Sequence, residues 1–190
     1  MKILKNILLA VAIIVAIAAI GIYFLPDHYN VSSSINISKP AHLVYAEVAD
    51  FNQWKAWSPY DELEPTAGHT FEGTSFSRGH KMTWNGTKLG EGSMTISSTT
   101  QDKSIESDLV FLKPFKNTAK DYWEFEETDN TTKVTWGTQG GLSYPFGRLF
   151  GLTIDKMLGK TQKHGLENLR NSCEAMQDAP ITDSTTVVIK

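Results

Sequence analysis

The chain has 190 residues, 18 Lys and Arg against 21 Asp and Glu, and a single cysteine, Cys173. That length suits one core-bearing domain and is short for two. No cluster of basic residues offers a nucleic-acid surface, and one cysteine excludes an internal disulfide, so the core must hold the fold alone.

The chain opens with Ile7–Leu25, nineteen residues without a charge behind Lys2 and Lys5. As a helix this run spans roughly 28 Å, close to the hydrocarbon thickness of a bilayer. Twelve of its residues are Ile, Leu, Val or Phe, which favour insertion by about 4–7 kcal/mol in total. A cleaved signal has a shorter apolar core, of about 7–15 residues. The candidate cleavage triplet Ala16-Ile17-Ala18 lies inside the run. An uncleaved anchor is therefore expected at residues 1–27, with a cleaved signal and a buried soluble helix as the alternatives. Positive residues precede the run and the next basic residue is Lys39, so residues 28–190 are expected outside the cytoplasm, periplasmic in a Gram-negative cell. Setting aside Lys2 and Lys5 leaves 16 basic against 21 acidic residues, a net −5 for that part.

Tyr29–Ile37 alternates, with Val31, Ser33, Ile35 and Ile37 on one face, and reads as a strand. Ser38-Lys39-Pro40 reads as a helix start with a Ser cap, and Asp50-Phe51-Asn52 breaks that helix. A short helical piece over Gln53–Trp57 is expected to stop at Ser58, because a residue before proline leaves helical geometry. From His69 to Trp136 turn signals recur, and β-forming runs lie between them: Phe71–Phe76, His80–Trp84, Gly92–Ser98, Ser104–Leu112, Ala119–Glu126 and Thr132–Thr138. Short alternating runs between turns predict an antiparallel meander with one apolar face.

The cover for that face is expected from a long helix over Pro145–Gln177. Phe146, Leu149, Phe150, Ile154, Met157 and Leu158 form one stripe; Leu166, Leu169, Cys173 and Met176 form another. Gly159 and Gly165 fall between them and point to a bend or a close backbone approach. Residues 28–178 are taken as the domain and 179–190 as a flexible tail.

Several blocks in this order resemble a known family. They are Ser38-Lys39-Pro40-Ala41, Val48–Pro59, Met82–Gly86 with Gly90–Ile96, Phe111–Phe115, Val134–Trp136, and the helix containing Asp155–Lys160 and Gly165–Leu169. Together they resemble the START-like (SRPBCC) superfamily, in its polyketide-cyclase/dehydrase-like branch, over roughly residues 29–177. The resemblance implies an α+β helix-grip fold: a curved antiparallel sheet wrapped around a long C-terminal helix, here preceded by one transmembrane helix. It implies an apolar pocket between sheet and helix, and it brings no family-wide catalytic motif.

On that fold the helix-facing positions are expected to line a ligand site: Trp57, Met82, Trp84, Met94, Ile105, Ser107, Leu109, Phe111, Trp123 and Trp136, opposite Phe150, Ile154 and Met157. Apolar walls with few polar groups suit a small hydrophobic ligand. Alternation back from Trp123 puts Asp121 on the inner face, a weak candidate for an acid or base. His69, His80 and Glu72 lack metal-ligand spacing, so no metal and no cofactor is expected. The expected function is a membrane-anchored, extracytoplasmic binding domain for a lipid or other small hydrophobic ligand. The bilayer is its partner through Ile7–Leu25, and nucleic acid is not. Two alternatives stand beside it: a cyclase or hydrolase acting on an apolar substrate, and a protein-interaction module of the cell envelope.

Overall fold

A computed structural model describes the backbone of residues 2–176. The expected tail, and the last residues assigned to the domain, lie outside the described residues. Helix α1 (Lys2–Tyr23) carries the apolar run. Over Ile3–Tyr23 its mean hydropathy is 2.7, and none of it is buried against the rest of the chain. It is long and apolar enough to cross a membrane.

Seven strands follow α1: β1 (His28–Ile37), β2 (Gly68–Glu72), β3 (Lys81–Gly86), β4 (Gly90–Thr100), β5 (Ser104–Lys113), β6 (Asn117–Thr128) and β7 (Thr131–Gly141). They form one antiparallel sheet in the order β1-β7-β6-β5-β4-β3-β2. Register shifts in β4, at Glu91/Gly92 and Ile96/Ser98, break its pairing with β5. Such irregularities add twist and help a sheet to curve. The meander and its alternation match the expectation from sequence, and the fold is the α+β helix grip.

Helices α2 (Ala41–Ala49), α3 (Pro59–Leu63) and α4 (Phe146–Ala175) cover the inner face. Three local expectations are corrected. Ser38 does not cap α2: Pro40 is the N-cap, and the Ser38 amide instead donates to Glu174 Oε1. The piece after Asp50 is only a 3-10 turn, Trp54–Ala56. Ser58 leaves helical geometry as expected, but in doing so it caps a new helix. Its Oγ accepts from the Tyr60 amide, with Pro59 in the first turn. The strand expected over Phe71–Phe76 stops at Glu72, because the chain turns at Gly73 (φ 78°) and Phe76 sits at φ 66°.

The core is an aromatic cluster between sheet and helices. Trp54, Trp57, Trp123 and Trp136 are all buried, and Trp123 stacks on Trp136 with ring centres 4.7 Å apart. Leu166, Leu169 and Cys173 of α4 close it from above. Burial pushes the Cys173 thiol up to about 12, which suits a core residue and not a nucleophile.

The two central glycines of α4 differ. A Cβ on Gly165 would sit 2.7 Å from Trp136 Cζ3 and 2.9 Å from Pro59 Cδ, whereas one on Gly159 would meet Val31 Cγ1 at 3.9 Å. Gly165 is therefore the close approach. Gly159→Ala should stabilise the domain by about 0.4–1 kcal/mol, whereas Gly165→Val should destabilise it by about 1–3 kcal/mol through overpacking. Chemical unfolding followed by tryptophan fluorescence checks both signs; equal effects at the two positions would refute this packing of α4.

Candidate functional site

The strand register sets inward side chains in rows across the sheet. Ile96, Ser107, Asp121, Thr138 and Val31 are successive partners in one row. Met82, Met94, Leu109, Ala119, Gly140 and Tyr29 form the next. Trp84, Gly92 and Phe111 form a third. The last two rows lie toward the end of the sheet where α4 starts.

The rows differ in cover. Ile105, Ser107, Trp123 and Trp136 are buried, as is Trp57 above them. Met82 and Met94 are also buried, but Trp84, Leu109 and Phe111 are only partly covered. Helix α4 explains this, because it lies chiefly along β1 and β7 and leaves the inner face of β3–β5 near that end open. Trp84 rests over Gly92, where a Cβ would collide with its ring at 2.3 Å, and meets Phe111 edge-on at 5.8 Å.

The facing helix does not behave as one buried stripe. Ile154 is buried and Leu158 half-buried, but Phe150 is 49 % and Met157 48 % exposed. At 100° per residue, Phe150 and Met157 share a side of α4 with His164 and Asn168. Those two reach α3 and the turn before it: His164 Nε2 lies 2.6 Å from Glu62 Oε2, and Asn168 Nδ2 donates to Glu62 Oε1 and to the Trp57 carbonyl. This side of α4 therefore faces α3. Helix α3 in turn leads to the β3–β4 turn, where Glu64 accepts from the amides of Thr87, Lys88 and Leu89. These backbone hydrogen bonds, led by that of Leu89, hold the Glu64 carboxyl below its ordinary range. These residues define a candidate groove: partly covered Trp84, Leu109 and Phe111 on the sheet, exposed Phe150 and Met157 beside buried Ile154 on α4, and exposed Tyr60 and Leu63 on α3.

Polar side chains occupy the row next to that of Leu109 and Ala119. Asp121 is 3 % exposed. Its Oδ1 accepts from Trp136 Nε1 at 2.9 Å and Thr138 Oγ1 at 2.8 Å, and its Oδ2 accepts from Trp123 Nε1 at 2.9 Å. Burial raises its pKa to about 6, against the pull of those three donors. Gln162 donates to the Val31 carbonyl at 3.0 Å and to Thr138 Oγ1 at 3.4 Å. Gln162 Oε1 and Trp57 Nε1 are buried and find no hydrogen-bond partner among the described residues.

Two concavities lie elsewhere. A cleft of ≈ 220 Å³ lies between the Trp54–Ala56 turn, α3 and β2–β3, and includes Phe51, Asn52, Lys55, Asp61, His69 and Met82. Its volume is small beside the ~300–1,000 Å³ of typical ligand pockets. His69 Nδ1 there lies 3.6 Å from Asp61 Oδ1, a pair that sequence reasoning missed because the two come from different elements. An open groove of ≈ 470 Å³ on the outer face of β1 and β5–β7 is lined mainly by polar residues such as Lys120, Glu124 and Gln139.

Residues 28–174 match the family described as "Polyketide cyclase / dehydrase and lipid transport". The chain belongs to this family. Its fold recurs in solved structures at low identity. A Chromobacterium violaceum protein aligns with TM-score 0.58 at 12 % identity, over 77 % of this chain and 98 % of that one. Proteins from Nitrosospira multiformis and Thermobifida fusca each align with TM-score 0.56 at 18 % identity, over 76 % of this chain and 95 % and 92 % of theirs. A protein from the dynemicin biosynthetic locus aligns with TM-score 0.56 at 12 % identity, and there the match spans 77 % of this chain but only 47 % of the other. A search of curated proteins finds no match. Family membership gives the groove a context, because the helix grip is a hydrophobic ligand-binding fold.

Proposed function

We propose that this protein is a membrane-anchored, extracytoplasmic binding domain that takes a lipid or other small hydrophobic ligand into the groove between β3–β5 and the first half of α4. The observation that supports this reading is an apolar floor left partly uncovered, with Trp84 half-covered in a domain whose other four tryptophans are buried. Trp84, Leu109 and Phe111 would gain by burial against a ligand, at ~25 cal/mol per Å² of apolar surface. Phe150 and Met157 supply the opposite wall. Lys2 and Lys5, which precede the apolar run at the start of α1, support the orientation that puts the domain outside the cytoplasm.

The enzyme reading draws support from the raised pKa of Asp121. Its three protein donors speak for a structural task, since both carboxylate oxygens are already engaged. On the binding reading, Leu109→Trp fills the floor and abolishes uptake of a fluorescent fatty acid by the full chain in nanodiscs, while the unfolding midpoint moves little. Unchanged uptake by that variant would remove the groove as the ligand site. If Asp121→Asn abolished the turnover of an apolar substrate while the chain stayed folded, the enzyme reading would replace this one.

A further inference from the structure

One end of the sheet gathers the start of β1, the end of β7 and the β3–β4 and β5–β6 turns: His28 pairs with Gly141, Ala119 with Gly140, Phe111 with Asn117, and Gly86 with Gly90. Helix α1 enters the domain here through Pro26 and Asp27, and α4 starts here. This end is not a polar rim. Phe115 at the tip of the β5–β6 turn is 82 % exposed and Phe146 is 80 % exposed, with Leu149 and Leu152 exposed beside it on α4. Single exposed apolar residues are ordinary, but a collection of large ones at one end marks an interaction site. With the groove-side Phe150 they give the first turns of α4 a wide apolar arc, with Arg148 and Asp155 on the opposite side. A broad exposed apolar arc on an amphipathic helix calls for a cover other than water.

Contacts with α1 indicate what covers it. The Tyr144 hydroxyl donates to the Ala19 carbonyl at 3.2 Å. Arg148 donates to the Tyr23 carbonyl, lies 5.4 Å over the Tyr23 ring and reaches within 3.8 Å of Asp27. Ala19 belongs to the apolar run, so residues tied to it share its depth. We infer that this end of the domain, with Phe115 and the first turns of α4, embeds in the interfacial layer of the bilayer that α1 crosses. The occupant of the exposed apolar face is the boundary between lipid headgroups and acyl chains. Tyr144 suits that level, as interfacial aromatics do, and the exposed Lys116 beside Phe115 can reach lipid phosphates. The embedding rests on the proposed anchoring by α1; its consequence, that the groove would open onto lipid and not onto water, rests on the proposed ligand site as well.

The test uses the full chain in vesicles of phosphatidylcholine and phosphatidylglycerol. Phe115→Cys, Phe146→Cys and Glu126→Cys are each labelled with bimane and exposed to shallow doxyl-lipid quenchers. Glu126 lies near the far end of β6, roughly 30 Å from Asn117 at ~3.3 Å per residue. All three positions are exposed, and the unsubstituted chain, whose Cys173 is buried, serves as the blank. Labels at 115 and 146 should be quenched several-fold more than the label at 126. Equal quenching at all three overturns the embedding, as does cross-linking of 146 between copies with no quenching, which would make a second copy the cover. Ligand uptake with unquenched labels sinks the embedding and leaves the groove standing. Quenching without uptake supports the embedding and removes the groove.

Discussion

Replacing Asp121 with alanine is expected to cost about 2–6 kcal/mol near pH 4.5, because it orphans the indole N–H groups of Trp123 and Trp136 at about 1–3 kcal/mol each. The Thr138 hydroxyl loses its acceptor too, since Gln162 donates to its Oγ1 and does not accept from it. The cost should shrink as the pH rises. In the folded state the Asp121 pKa is raised from 3.8 to about 6 by burial. The unfolded chain therefore ionises first, and the stability contributed by the neutral acid is full below about pH 4 and lost as the pH passes about 6. The whole difference corresponds to about 3 kcal/mol, of which about 2 kcal/mol falls between pH 4.5 and pH 7.5, so the gap between wild type and Asp121→Ala should narrow by about 2 kcal/mol over that range. Asp121→Asn, which carries no charge, should show none of the loss. The carboxyls of Asp50 and Glu64 are held below their ordinary range: at Asp50 the upward push of burial is outweighed by side-chain hydrogen bonds from Asn52, Ser75 and Gln53, and at Glu64 backbone hydrogen bonds, led by that of Leu89, do the same. Their stabilisation is lost in the opposite direction, as the pH falls, and it cancels between wild type and variant. The measurement is chemical unfolding of the full chain in nanodiscs at a series of pH values. A gap that widens with rising pH would mean that Asp121 is ionised and net stabilising, and would sink this account.

The position of Asp121 was legible in the sequence because strand alternation is strict. Counting back from Trp123 by two gives the inner face, and the observed pairing of Asp121 with Ser107 and Thr138 has no bulge to disturb it. Its partners were not legible. Trp136 and Thr138 stand on β7, and only the register of β6 with β7 sets their N–H and O–H against the carboxylate. The strand order and the long C-terminal helix could likewise be read from turn spacing and from the family resemblance. Helix α3 could not, because its five residues are too few to show a period. The stripe from Phe146 to Leu158 misled in a more useful way. Helical spacing shows which residues share a face and not what covers them. Near the start of α4 the sheet is absent from that face, so residues that read as core stand exposed beside the end of α1.

The five tryptophans looked alike in the sequence, and substitution should divide them. Trp123 is 1 % exposed and packs against Trp54, Trp57 and Trp136 at ring distances of 6.1, 5.9 and 4.7 Å. Its N–H also satisfies Asp121. Trp123→Ala removes the largest side chain from the middle of the core and leaves a cavity that a curved sheet gripping a helix cannot close, so a loss of about 3–5 kcal/mol is expected. For a domain of marginal stability, ~5–15 kcal/mol in total, this is a large fraction. Trp84 is chemically the same but half-covered over Gly92, with one edge on Phe111. Less of its surface is buried in the empty protein, so Trp84→Ala should cost about 1–2 kcal/mol, near the centre of ordinary single substitutions. Its larger effect should fall on ligand uptake, because the surface it loses is the surface offered to the groove. Urea unfolding and fatty-acid uptake, measured side by side on the two variants, separate these roles. If Trp84→Ala is as destabilising as Trp123→Ala and uptake by the folded fraction is unchanged, Trp84 belongs to the core, and the groove loses the aromatic residue on its floor that most distinguishes it from the sealed interior.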